Sequence, residues 1–339
     1  MVKISFITPK PPHKIYQNRL VYDELKKRGW KLQYNKVDKT TTHLLCTSNS
    51  QFRRTDELAK KWNLPYITWI ADIGLTLPAE KQVEELREYI HHIRKSWKAI
   101  SICSKMQWEA ITLSGRYRID LVKPCIDNHT IKEICAKKPK KKNQIVVVGA
   151  MAPHKEPHIP FLAWKELEEP RPNLIYISYG ILIKKQINNI FKGKPEIDKK
   201  AISIEGLFAP QLVAEAKKYK DKVKFIACGD KLKFKIMAES MILIMPDSYG
   251  GFNLPPIEAY YCGTPSIISD AHWFSDLPFK TYKTNNVYDL VLKIKTFLSY
   301  LKRTKGKFPP DKSGKLETYT IEKCADRLEQ KFKEWGLEK

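Results

Sequence analysis

The stretch from Met241 to Asp270 constrains the fold more than any other part of this 339-residue chain. An apolar run, Met241-Ile242-Leu243-Ile244-Met245, stops at Pro246, as a strand buried on both faces of a parallel sheet would. A turn with two glycines, Asp247 to Gly251, leads into a helical segment behind Pro255-Pro256. Gly263-Thr264-Pro265 ends that segment, and a second apolar strand, Ser266 to Ser269, follows. Strand, turn, helix, strand is a βαβ unit, which requires helices on the faces of the sheet. A glycine-rich turn running into a helix also suits phosphate groups, because backbone N–H donors gather there. Glu258, the one acid on the helix, would reach the hydroxyls of a ribose; its plainer reading is a surface acid favoured by the helix dipole.

The same alternation fills the rest of the chain. Strands are expected at 4–7, 44–46, 65–70 and 99–103, and helices over 18–28, 56–62, 80–96 and 105–113, with Ser104 placed to cap the last. A lysine run, Lys137-Lys138-Pro139-Lys140-Lys141-Lys142, then interrupts the pattern and reads as a linker. Strands resume at 144–149, 173–180, 222–227, 241–245 and 266–269. The predicted organisation is an α/β domain over 1–136, a linker over 137–143, a second α/β domain over 144–317 and a terminal helix over 318–339. In that tail Ile321, Cys324, Leu328, Phe332 and Trp335 recur at helical spacing, so it is expected to pack back on the first domain.

Composition removes several classes of protein. A hydrophobic content of 42% excludes wholesale disorder. No apolar run approaches the ~18–20 residues that cross a bilayer, and Met1 to Lys10 reads as a short strand rather than a signal peptide. Seven scattered cysteines without a Cys-x-x-Cys pair argue against a zinc site or disulfide framework and fit a reducing cytosol. Lys+Arg outnumber Asp+Glu by 61 to 37, and residues 1–142 hold 29 of the former and 14 of the latter. The first half is therefore expected to be the more cationic, drawing a polyanion or an anionic membrane surface. The motifs of P-loop nucleotidases, dinucleotide-binding dehydrogenases and serine hydrolases are all missing, and there is no Asp-x-Asp to hold a divalent cation on a nucleotide sugar.

Pro246-Asp247-Ser248-Tyr249-Gly250-Gly251-Phe252-Asn253-Leu254-Pro255-Pro256-Ile257-Glu258-Ala259, followed by Cys262-Gly263-Thr264-Pro265, resembles the signature of retaining GT-B glycosyltransferases of family 4 (glycosyl transferases group 1). That signature reads approximately Pro-Ser-x-x-Glu-Gly-Phe-Gly-Leu-Pro-x-x-Glu-Ala, then Cys-Gly-Thr-Pro. Gly149 with Lys155 resembles the family's turn at the start of its second domain; alone, it would pass for an ordinary turn with a solvated lysine. Lys123-Pro124-Cys125-Ile126-Asp127 resembles the run that closes the first domain.

The resemblance implies a GT-B fold, two Rossmann-like doubly wound domains facing a central cleft, and transfer of a sugar from a nucleotide diphosphate to an acceptor hydroxyl, without metal or cofactor. It implies that Glu258 holds the ribose and that Gly149, Lys155, Gly251, Phe252, Asn253 and Leu254 surround the diphosphate. The helix N-terminus behind Pro255 would help neutralise it. The chain departs from the signature at Gly250, where the family has an acid that contacts the sugar, and at Ala150 and Asn253. Asp72, at the end of a first-domain strand, is the candidate for orienting the acceptor, with a loop or cap aspartate as its plain alternative. The acceptor would be a lipid at an anionic membrane surface, a glycan or a protein, and the location cytoplasmic or peripheral at the inner membrane surface. The competing readings are a nucleic-acid-binding or DNA-modifying GT-B protein and a degenerate, non-catalytic relative.

Overall fold

Short apolar runs become the strands of two parallel sheets, each of six strands. The computed structural model describes residues 2–8, 16–70, 79–149, 151, 155–178, 208–248, 252–271, 277–304 and 311–339. The chain divides into two compact units, Met1–Asp127 with Glu317–Lys339, and Asn128–Leu316.

The first unit contains β1 (Lys3–Ile7), α1 (Tyr16–Lys27), β2 (Lys31–Tyr34), β3 (His43–Cys46), α2 (Phe52–Trp62), β4 (Tyr66–Ile70), α3 (Ala79–Lys95), β5 (Lys98–Ser101), α4 (Ser104–Ser114) and β6 (Asp120–Leu121). Its sheet runs β2-β1-β3-β4-β5-β6, all parallel. Ser104 is the first residue of α4 rather than its cap; Cys103 holds the cap position and makes no side-chain cap bond. Behind β4, the buried His92 ring stacks between Phe52 and Tyr66, at centroid distances of 4.0 and 4.6 Å, and its Nδ1 meets Asp56 Oδ1 at 2.9 Å.

The last helix, α11 (Ile321–Glu334), starts behind Thr320, whose hydroxyl accepts from the Lys323 N–H. It lies against α1 and buries Cys324, Leu328 and Phe332. The Phe332 ring meets Trp30 edge-on at 5.0 Å, and Arg28 bonds Asp326 at 2.7 Å and Glu329 at 3.3 Å.

The second unit contains α5 (Asn128–Ala136), β7 (Gln144–Val148), α6 (His158–Lys165), β8 (Asn173–Ser178), α7 (Phe208–Ala216), β9 (Val223–Ala227), α8 (Asp230–Glu239), β10 (Ile242–Met245), α9 (Pro255–Tyr261), β11 (Ser266–Ser269), β12 (Lys280–Tyr282) and α10 (Val287–Arg303). Its sheet runs β12-β11-β10-β7-β8-β9. Every residue of β7, β10 and β11 is buried, as strands covered on both faces must be. Ile145, Val147, Trp164, Tyr176, Ile244 and Ile267 sit in its core.

Two features differ from the sequence expectation. The division falls after Asp127, so the lysine run lies inside the second unit instead of joining two domains. Lys141 Nζ donates to Ser240 O at 2.8 Å and Thr264 Oγ1 at 2.7 Å, and the Lys142 N–H donates to Glu239 O at 2.7 Å. The charge distribution changes with that division. The first unit carries 28 Lys+Arg against 19 Asp+Glu and the second 33 against 18, so the larger positive excess belongs to the second. Among the described residues no helix is long and apolar enough to cross a membrane.

Candidate functional site

In the second sheet β7 is central, with β8 on one side and β10 on the other. The chain leaves β7 toward β8 and β9, then crosses back to β10, so the strand order reverses between β7 and β10. Connections at such a point depart to opposite sides and leave a crevice at the carboxyl ends of the strands, where open α/β sheets bind ligands. Here the crevice is lined by Val148, Gly149, Lys155, Pro246 and Asp247. Among the described residues, a Cβ added at Gly149 would meet no atom within 4 Å.

Three side chains from two loops meet in this crevice, Lys155 from the one after β7 and Asp247 and Asn253 from the one between β10 and α9. Lys155 Nζ lies 2.5 Å from Asp247 Oδ2 and 3.2 Å from Asn253 Oδ1. Asn253 Nδ2 donates to the same Asp247 oxygen at 2.7 Å. Asp247 is 1% exposed, whereas the Lys155 side chain keeps 19% of its surface. The backbone beneath is pinned from neighbouring strands: Ser269 Oγ donates to Asp247 O, and Tyr282 Oη donates to Pro246 O at 3.4 Å.

The helix behind the crevice is a poorer donor than its position suggests. Its first two residues, Pro255 and Pro256, have no N–H, and the Ile257 and Glu258 N–H groups both donate to Leu254 O at 2.9 Å. Among the described residues the N–H groups of Asn253 and Leu254 have no such bond, so backbone donation to a ligand falls to them.

Glu258 is buried, and both its oxygens accept from Lys233 Nζ, at 2.9 and 2.8 Å. Lys233, equally buried, also pairs with Asp230 Oδ1 at 2.9 Å and sits 4.4 Å from the Phe234 ring centroid. A carboxylate oxygen can accept more than one hydrogen bond, so a carboxylate held in place by Lys233 has the chemistry to accept from a ligand hydroxyl.

The structure thus brings Lys155 and Asn253 together at the crevice, with Gly149 beside them and Leu254 and Glu258 on the turn and helix that follow. Phe252 is half-buried ahead of them. Gly251 and Asp72 lie outside the described residues, as do Gly250 and Ala150. Asp247, Lys233 and Asp230 escaped the sequence reading. Asp247 had a signal, its place at the carboxyl end of a buried parallel strand; Lys233 had none, because its partner is on another helix.

A model of the family described as glycosyl transferases group 1 matches residues 131–299. The O-antigen chain mannosyltransferase RfbU of Salmonella typhimurium is 29% identical over 168 residues, 49% of this chain and 41% of that protein. The chain therefore aligns with less than half the length of this curated relative. Among solved structures, Anabaena Alr3699/HepE in complex with UDP-glucose superposes with a TM-score of 0.73 at 11% identity, covering 98% of this chain and 100% of that one. Sucrose-phosphate synthase from Thermosynechococcus elongatus gives 0.75 at 14% identity, covering 99% of each. The chain thus has the GT-B fold, two Rossmann-like α/β units, and residues 131–299 of it are similar to the family of glycosyl transferases group 1.

Proposed function

We propose that this protein transfers a sugar from a nucleotide-diphosphate donor to an acceptor hydroxyl, with retention at the anomeric carbon and without a metal ion or other cofactor. The observation that carries the reading is the Lys155–Asp247–Asn253 cluster at the switch point of the second sheet. It presents an ammonium, an amide and two backbone N–H groups where a diphosphate would lie. Likeness to a mannosyltransferase, and to a protein solved with UDP-glucose, supports a nucleotide sugar as donor.

In this mechanism Glu258 accepts from the ribose hydroxyls and fixes the nucleoside. Lys155 and the N–H groups of Asn253 and Leu254 stabilise the negative charge that grows on the β-phosphate as the glycosidic bond breaks. The acceptor attacks from the face the diphosphate is leaving, and a phosphate oxygen takes the acceptor proton, so no protein nucleophile is needed. Metal independence rests on the absence of Asp-x-Asp from the sequence.

Calorimetry with UDP, GDP and ADP tests the site. One of the three should bind the parent, and Lys155→Ala and Glu258→Ala should each weaken it by about tenfold or more, as loss of a charge-assisted contact does. Parent-like binding by both variants would overturn the assignment. Product anomeric configuration by NMR, and turnover in a chelator, test retention and metal independence.

A further inference from the structure

The crevice holds a charge that the proposed chemistry does not use. Asp247 is buried, yet its Oδ2 accepts from both Lys155 and Asn253, side chains that arrive from the loop after β7 and the turn before α9. An ammonium has three donors, and two of those on Lys155 are engaged by Asp247 and Asn253. Among the described residues the third has no acceptor, and the other two bonds fix its direction. One carboxylate therefore does two things at once. It assembles the lysine and the amide before any ligand arrives, and it cancels most of the charge the lysine would otherwise offer.

A nucleotide diphosphate is a polyanion, and an uncompensated, largely buried lysine would hold it tightly. We infer that Asp247 sets the grip of this site on the diphosphate: it positions Lys155 and Asn253 for transfer and weakens the hold on the diphosphate that is left when the sugar has gone, so that it departs. This rests on the donor-site reading above. In the family signature the position of Asp247 is a serine and that of Asn253 a glycine. The departures at 247 and 253 are thus mutually bonded, and together they set a carboxylate and an amide against a lysine that the family's turn also carries.

The test is Asp247→Asn, which keeps the shape and an acceptor for Lys155 but removes the charge. Kd for UDP, GDP and ADP is measured by calorimetry at two salt concentrations, and kcat and KM with the sugar donor of whichever nucleotide binds. The expected result is diphosphate binding tighter by about tenfold, a steeper loss of affinity with salt, and a lower kcat with inhibition by the released diphosphate. A purely structural aspartate would instead leave affinity unchanged or reduce it, and either result overturns the inference. Should Asp247→Asn melt far below the parent, Asp247→Ser, smaller and likewise neutral, is held to the same criteria. Failure of this inference is separable from failure of the site. If Lys155→Ala weakens binding while Asp247→Asn does not strengthen it, the site stands and the inference falls. If the parent binds none of the three nucleotides, both fall.

Discussion

Replacing Lys233 by methionine removes an ammonium that bonds both oxygens of Glu258, a carboxylate only 6% exposed. Asp230, the other partner, is 31% exposed on its side chain and regains water, so the cost centres on Glu258. Breaking a buried ion pair from one side costs about 3–5 kcal/mol, because the surviving buried charge has lost that partner. In a unit the size of Asn128–Leu316 each kcal/mol lowers the melting temperature by ~2–4 °C, so Lys233→Met should melt about 6–20 °C below the parent. Lys233→Met with Glu258→Gln removes both charges and should recover much of the loss, with a coupling of about 1–3 kcal/mol in the double-mutant cycle. Differential scanning calorimetry between pH 5 and 8 provides the measurement. If the single variant melts within about 2 °C of the parent across that range, Glu258 is not held by Lys233 and the account of this carboxylate is wrong.

Three further outcomes are expected. Burial holds the His92 imidazole below its ordinary 6.5, against the opposing pull of Asp56, and burial does the same to His43. The unfolded chain therefore binds more protons, so stability present above pH 6.5 is lost as pH falls below it, and His92→Phe should flatten the urea midpoint between pH 7.5 and 5. The Cys135 thiol is brought down to about 7 by a hydrogen bond from Cys262, against burial and with help from the Lys141 charge. At neutral pH iodoacetamide should label Cys135 before the other cysteines, and Lys141→Met should shift the pH midpoint of labelling upward, as peptide mapping would read. Phe332→Ala opens a void beside Trp30 and should cost the first unit about 3–5 kcal/mol in a denaturant titration.

What the amino-acid sequence discloses here follows burial. Strands β7, β10 and β11 are buried at every residue and stand out as apolar runs. Strands β2 and β12 are edge strands of sequence KLQY and KTY, and nothing apolar in them separates a strand from a loop. The lysine run looked like solvent-exposed linker because composition cannot show that Lys141 is desolvated, with its ammonium held by Ser240 and Thr264. At the site, Lys155 and Asn253 were readable from their positions next to strand ends and a turn. The aspartate that joins them was not, because the contact spans 92 residues on one side and six on the other. Lys233 and Glu258 belong to consecutive helices separated by a strand, and only the packing of α8 against α9 brings them together.

The return of α11 to the first unit has a consequence for how the protein matures. Residues 128–316 form one uninterrupted unit, while the first unit is assembled from both ends of the sequence. A ribosome that has finished Asp127 must add about 190 residues, taking roughly 10 to 40 seconds, before the covering helix begins to emerge. Throughout that interval Trp30 and the face of α1 await Phe332 and its neighbours, and by its close the second unit has every residue of its sheet. The domain translated first is therefore the one completed last, and a released chain ending just past Leu316 would carry every residue of the second unit beside an unfinished first.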